Sequence, residues 1–158
     1  MIEYKWFLKS LLQGLFLFIL IIKDLTQKRL TFKKDERLKS RKLIEQLFKE
    51  GKSFSSGPIR IIYLFRDSDV PVQSGVTVSS KNFKKAVDRN RIKRLLREAY
   101  RLQKNDLKEL LQSRNISLAI FFIYTGIQIP EYNDVFKKVG DILTRLQKVM
   151  NEKSVSNS

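Results

Sequence analysis

Arg89-Asn90-Arg91-Ile92-Lys93-Arg94-Leu95-Leu96-Arg97-Glu98-Ala99-Tyr100-Arg101 is the stretch from which the rest of the chain is read. At helical spacing Arg89, Lys93, Arg97 and Arg101 fall four apart and form one cationic stripe. Ile92, Leu95, Leu96, Ala99 and Leu102 form an apolar stripe beside it. One side of this helix packs on a core while the other offers forked guanidinium donors. From Lys81 to Lys104 there are ten Lys or Arg against Asp88 and Glu98 alone, too few acids for the interleaved pairs of a solvated helix. The partner that suits such a face is densely anionic, and a phosphate backbone is the commonest one.

Outward from that helix the pattern changes period. Val72, Ser74, Val76 and Val78 alternate with polar or small residues as a strand, and Asp67 to Pro71 turns the chain ahead of them. Ile59 to Arg66 is β-branched and aromatic, hence another strand. Further back, Ser40 is an N-cap, Leu43, Ile44, Leu47 and Phe48 share one face, and Gly51 is a C-cap, which predicts a helix over 41–50. Lys52 to Pro58 reads as a Ser/Gly/Pro loop, with a short strand possible near 52–56. The basic helix covers about 83–104, and its continuation to 112 breaks near Asn105 or Asp106. Ile116 to Tyr124, the most apolar run of this region, suits a central strand buried on both faces. After a break at Gly126 to Pro130, Val135, Val139, Ile142, Leu143 and Leu146 predict a helix over 131–150. The Lys/Ser/Asn tail, 151–158, reads as disordered. The class is α+β: helices layered on one sheet in a single domain, 31–150.

The chain has 158 residues and a formal charge of +16, and a polyanionic partner relieves that self-repulsion. Without Cys there is no disulfide, thiolate nucleophile or zinc finger, and without His the side chain best suited to proton transfer near neutrality is missing. The acids are scattered, with Asp67 and Asp69 in a turn and Asp106 and Glu109 on a helix end, so no metal site is assigned to the protein. Residues 1–30 stand apart. Leu8 to Ile22 is almost wholly apolar, short for a spanning helix, and no small-residue cleavage site follows. A signal anchor, an interfacial helix, and residues upstream of the true start at Leu30 are the three readings. The last is favoured because 31–158 still carries +13 without them, and a membrane role would require 8–22 to be native.

Gly75-Val-Thr-Val-Ser-Ser-Lys81, Phe83-Lys-Lys-Ala-Val-Asp-Arg-Asn-Arg-Ile-Lys-Arg94 and Arg97-Glu-Ala-Tyr-Arg101, with Glu36-Arg-Leu-Lys-Ser-Arg41 and Leu47-Phe-Lys-Glu-Gly51, closely resemble the protein subunit of bacterial ribonuclease P. The resemblance is collinear from about Thr31 to Met150. It implies an α-β-β-β-α-β-α two-layer sandwich like the second domain of ribosomal protein S5, with a left-handed βαβ crossover that general rules disfavour. It also implies a cytoplasmic ribonucleoprotein that removes the 5′ leader of precursor tRNA. The partners are the catalytic ribonuclease P RNA and precursor tRNA, with no obligatory protein partner. The RNA carries catalysis and its Mg²⁺, and the protein contributes no catalytic residue.

On that resemblance Arg89, Asn90, Arg91, Lys93, Arg94 and Arg97, with Lys81, Lys84 and Lys85, face RNA. Arg89 and Arg91 have the chemistry for bidentate phosphate contacts, and Asn90 for a 2′-hydroxyl or base edge. The family's cleft for the unpaired leader maps onto Ile44, Phe48, Arg60 and Tyr63, with Phe65 a further candidate. For Phe48 a core position is an even rival; Phe83, Phe121 and Phe122 are assigned to the core. Two departures stand out: Ile44, where an aromatic often sits, and Ser79-Ser80, where the family often carries Pro or another Lys. A ribosomal-type RNA-binding protein without a role in cleavage remains the alternative. A helix-turn-helix regulator is disfavoured because the chain before residue 83 reads as strand.

Overall fold

The structure, a computed structural model, describes residues 31–155. The readings of 1–30 as an apolar extension and of 156–158 as part of a disordered tail lie outside the described residues. Helix α1 (Arg41–Glu50) begins at Ser40, whose Oγ accepts from the Leu43 amide at 3.3 Å. Gly51 ends it with its amide on the Leu47 carbonyl at 2.9 Å, in extended rather than left-handed backbone. Glycine is required there for space, because a Cβ would strike that carbonyl and the Ile62 side chain. Strands β1 (Lys52–Ser56) and β2 (Ile59–Arg66) form a hairpin turned at Gly57, whose φ of 56° suits glycine. Then follow β3 (Val72–Val78), α2 (Ala86–Ser113), β4 (Ser117–Tyr124) and α3 (Tyr132–Val155).

The four strands lie in the order β1-β2-β4-β3. β4 pairs antiparallel with β2 and parallel with β3, and α2 is the crossover between the parallel pair. The α-β-β-β-α-β-α order is the one expected from the resemblance. Register sorts the side chains onto two faces. Ile59, Ile61, Tyr63, Leu118, Ile120, Phe122 and Tyr124 face α2 and α3 and meet Ile92, Leu96, Leu107, Val139 and Ile142 in the main core. Ile62, Leu64, Ala119, Phe121 and Ile123 face the other way, where Leu38, Leu43, Ile44 and Leu47 cover only part of the sheet. Burial on both faces makes β4 a continuous apolar run.

Residues 52–56 form the short strand that the sequence left open beside a loop, paired along their length with β2. Two boundaries differ from the sequence reading. α2 starts at Ala86 and runs unbroken through Asn105 and Asp106, because Lys104, Leu107 and Leu111 beside them are buried. α3 continues to Val155 instead of giving way at Asn151: Arg114 donates to the Met150 carbonyl at 2.7 Å and to Asn151 Oδ1 at 2.6 Å, holding that turn against the end of α2. Among the described residues no helix is long and apolar enough to cross a membrane.

Candidate RNA interface

The start of α2 is fixed by its own cation. Lys85 at the N-cap makes no side-chain cap, and Arg89 reaches back to donate through Nη1 to the carbonyls of Phe83 at 2.8 Å and Lys84 at 2.6 Å. Asn82 ties the same loop to the end of β4 through the carbonyls of Thr125 at 2.9 Å and Gly126 at 3.0 Å. Arg89 therefore spends part of its fork on the backbone. Lys81, Lys84, Lys85, Asn90, Arg91, Arg94 and Arg97 are exposed and Lys93 is half-buried, all on the loop and the first turns of this helix. Among the described residues none of these cations is salt-bridged, whereas Arg101 is held by Glu98 at 2.6 Å. The first half of α2 thus combines unneutralised charge with the positive end of the helix dipole.

Beside it lies a cleft of about 500 Å³ between α1, the partly covered sheet face and α2. Ile44, Gly75 and Phe121 form its apolar floor, and Arg37, Lys39 and Arg97 its cationic wall. Gly75 gives the Phe121 ring room to lie across β3, since a Cβ there would stand 2.5 Å from two ring carbons. Phe48, 51 % exposed, meets that ring edge-on at 5.5 Å between centroids. Partial burial, and then the neighbouring Arg37 and Arg94 charges, pull the Arg97 guanidinium below its ordinary range. An incoming anion relieves such crowding.

Of the four cleft residues read from sequence, the structure brings Ile44 and Phe48 together and leaves Arg60 exposed on the same sheet face, donating to Ser53 Oγ at 3.1 Å. Tyr63 does not join them. It is 5 % exposed on the opposite face, in the core against Phe54 and Phe65, so the assignment of both Tyr63 and Phe65 to the cleft is corrected. Strand alternation is the cause: from Arg60, the residues sharing its face are Ile62 and Leu64. Phe121, assigned to the core, sits half-buried on the cleft floor, while Phe83 and Phe122 are core residues. The sequence reading also missed Arg37, Lys39 and Gly75 as cleft lining. The alternation of Gln73, Gly75 and Thr77 is a usable signal for the last, but in β4, apolar at every position after Ser117, nothing marks which face Phe121 takes.

A basic helix start opening onto an aromatic cleft in an α+β sandwich defines a class, the small RNA-binding proteins that grip single strands by charge and stacking. Comparison with known proteins narrows it. The Ribonuclease P family matches residues 32–147, and the chain belongs to that family. It is similar to the ribonuclease P protein component of Porphyromonas gingivalis, 39 % identical over 115 residues that cover 72 % of this chain and 84 % of that one. The corresponding protein of Syntrophus aciditrophicus is 37 % identical over 119 residues, 75 % and 92 % of the two chains. Among solved structures, the RNase P protein from Thermotoga maritima superposes with a TM-score of 0.53 at 28 % identity, covering 70 % of this chain and 96 % of that one. The Staphylococcus aureus protein, at 20 % identity and a TM-score of 0.55 over 70 % and 94 %, shares the fold.

Proposed function

We propose that this chain is the protein component of a cytoplasmic ribonuclease P, working with a catalytic RNA to remove the 5′ leader from precursor tRNA. The observation that carries the proposal is the continuity of the two halves of the site. Ile44 and Phe121 line the same cleft as Arg37 and Arg97, so a strand stacked on the apolar floor has its phosphates beside guanidinium groups. In this reading Arg91, Lys93, Arg94 and Arg97 hold the catalytic RNA by phosphate contact and counterion release. The cleft, with Phe48 at its rim and Arg60 on the same sheet face, takes the unpaired leader. Gripping the leader fixes the scissile phosphate relative to the RNA's metal ions, which lowers the entropic part of the barrier. Hydrolysis and its Mg²⁺ belong to the RNA, and the protein supplies position and charge. Ile44 cannot stack, so affinity for the first leader base rests on contact area and on Phe48.

Reconstitution tests it. The full chain, added to the ribonuclease P RNA of its own source, should restore cleavage of a leader-bearing precursor tRNA in dilute Mg²⁺ and matter little in concentrated Mg²⁺. A protein that binds both RNAs yet leaves cleavage unchanged at every Mg²⁺ concentration is a ribosomal-type RNA binder, and the proposal fails.

A further inference from the structure

The segment ahead of α1 carries a buried acid in a protein otherwise crowded with cations. Glu36 is 4 % exposed. Its carboxylate accepts from Lys104 Nζ, from Lys108 Nζ at 2.9 Å, and from the Lys33 amide at 3.1 Å. Lys104 is itself 2 % exposed, so Glu36 is the countercharge that makes its burial tolerable. Burial alone pushes the Glu36 carboxyl up, but the hydrogen bonds from Lys104 and Lys108 outweigh it and leave the group below its ordinary range. The backbone beside it is stitched to the edge of β3: the Ser74 amide donates to the Glu36 carbonyl at 2.8 Å, and the Leu38 amide to the Ser74 carbonyl at 2.9 Å. Phe32 completes the attachment, edge-on to Tyr100 at 5.8 Å, with Arg37 and Lys104 each 5.4 Å from its ring centre.

What this attachment holds in place is Arg37, against electrostatic resistance. Arg37 lines the cleft with Arg97, and it lines a second hollow, of about 510 Å³, with Arg94 and Arg97. Glu98 also borders that hollow but is engaged by Arg101 through two hydrogen bonds, at 2.6 and 2.9 Å. Three guanidiniums on two separate segments repel one another, and an arm free to move would carry Arg37 away.

We propose that Glu36 is a positioning residue: clamped by Lys104 and Lys108, it ties the arm of residues 32–38 to α2 and keeps Arg37 beside Arg94 and Arg97. An RNA phosphate then meets three cations already assembled. The inference rests on the function proposed above. It adds a role for a residue that touches no RNA and acts through Arg37 alone.

A double-mutant cycle reads this directly. Full-length wild type, Glu36→Gln, Arg37→Ala and the double variant are titrated against the catalytic RNA alone, and the reconstituted holoenzymes against precursor tRNA. The two arms distinguish which RNA supplies the phosphate. Glu36→Gln and Arg37→Ala should each weaken one of these bindings about tenfold, the scale of one charge-assisted hydrogen bond. The double variant should be no weaker than Arg37→Ala. The salt dependence of log K should flatten by about 0.7–0.9 in each single variant. In Glu36→Gln the Leu38 and Ser74 amides should exchange faster, which Arg37→Ala does not cause. Should Glu36→Gln fail to fold, Glu36→Gln with Lys104→Met removes the buried charge along with the tie and takes its place. Additive losses in both arms, or unchanged protection of the two amides, overturn the inference. A wild-type protein that fails to promote cleavage overturns instead the function on which it rests.

Discussion

Arg89 and Arg91 are two residues apart and alike in chemistry, yet their surroundings give them different work. Arg89 closes the turn before α2 through two carbonyls. Arg89→Ala should therefore cost about 1.5–3 kcal/mol of stability, the value of hydrogen bonding by a charged donor, seen as a lower denaturation midpoint. Arg91 is exposed and makes no salt bridge among the described residues, so Arg91→Ala should leave the midpoint alone. It should depress holoenzyme activity far more in dilute than in concentrated Mg²⁺, where ions substitute for protein charge. Phe48 is a third case. Half exposed beside Phe121, it is available for stacking, and Phe48→Ala should weaken precursor binding by about 1–3 kcal/mol while mature tRNA affinity stays put. Equal losses for both ligands would return Phe48 to a packing role. The sequence carried the identity of the cationic residues well, because charge on a helix is legible from spacing. It misplaced Tyr63 because the apolar middle of β2 hides its register: between Arg60 and Arg66 the run Ile-Ile-Tyr-Leu-Phe shows no polar alternation.

Among the elements, α1 and the strands β2, β3 and β4 came through the sequence to within a residue, whereas β1 and the ends of the two long helices did not. The apolar period of α1 and α3 was enough to locate both. The break at Asn105-Asp106 failed because propensity is a weak prior beside burial: Leu107 and Leu111 gain more from the core than two polar residues lose on the outer side. The cleft depends on β3 and β4 lying parallel, which puts Gly75 opposite Phe121. Gly75→Ala should force the ring off β3, costing about 1–3 kcal/mol as overpacking does, and weaken precursor binding with it. Ring-proton shifts of Phe121 would report the movement. The tie between the N-terminal arm and α2 makes stability depend on acidity. Glu36 has a folded pKa below its ordinary 4.5, so its stabilisation is complete above that value and is lost as pH falls through the lower, folded one. The melting temperature should drop in that acid window, and the part of the drop owed to Glu36 should vanish in Glu36→Gln.

For the molecule as a whole, a formal charge of +16 offers a simpler account of RNA binding than any located site: a very basic protein adheres to any polyanion. The distribution of charge separates the two accounts. From Arg89 to Arg101 the helix α2 carries six Lys or Arg against Glu98, whereas from Asn105 to Ser113 Lys108 stands alone against Asp106 and Glu109, with Glu36 bonded to it. Lys137 lies exposed on α3 and lines neither the cleft nor the second hollow. Arg94→Gln and Lys137→Gln remove the same formal charge, so a bulk electrostatic effect must weaken RNA binding equally in both. Counterion release counts only the cations seated on phosphates. On the located reading Arg94→Gln should flatten the salt dependence of binding to the catalytic RNA by about 0.7–0.9, one phosphate contact, while Lys137→Gln leaves the slope unchanged. Equal slopes in the two variants would mean that the first turns of α2 hold no privileged contact and that the RNA interface lies elsewhere on the protein.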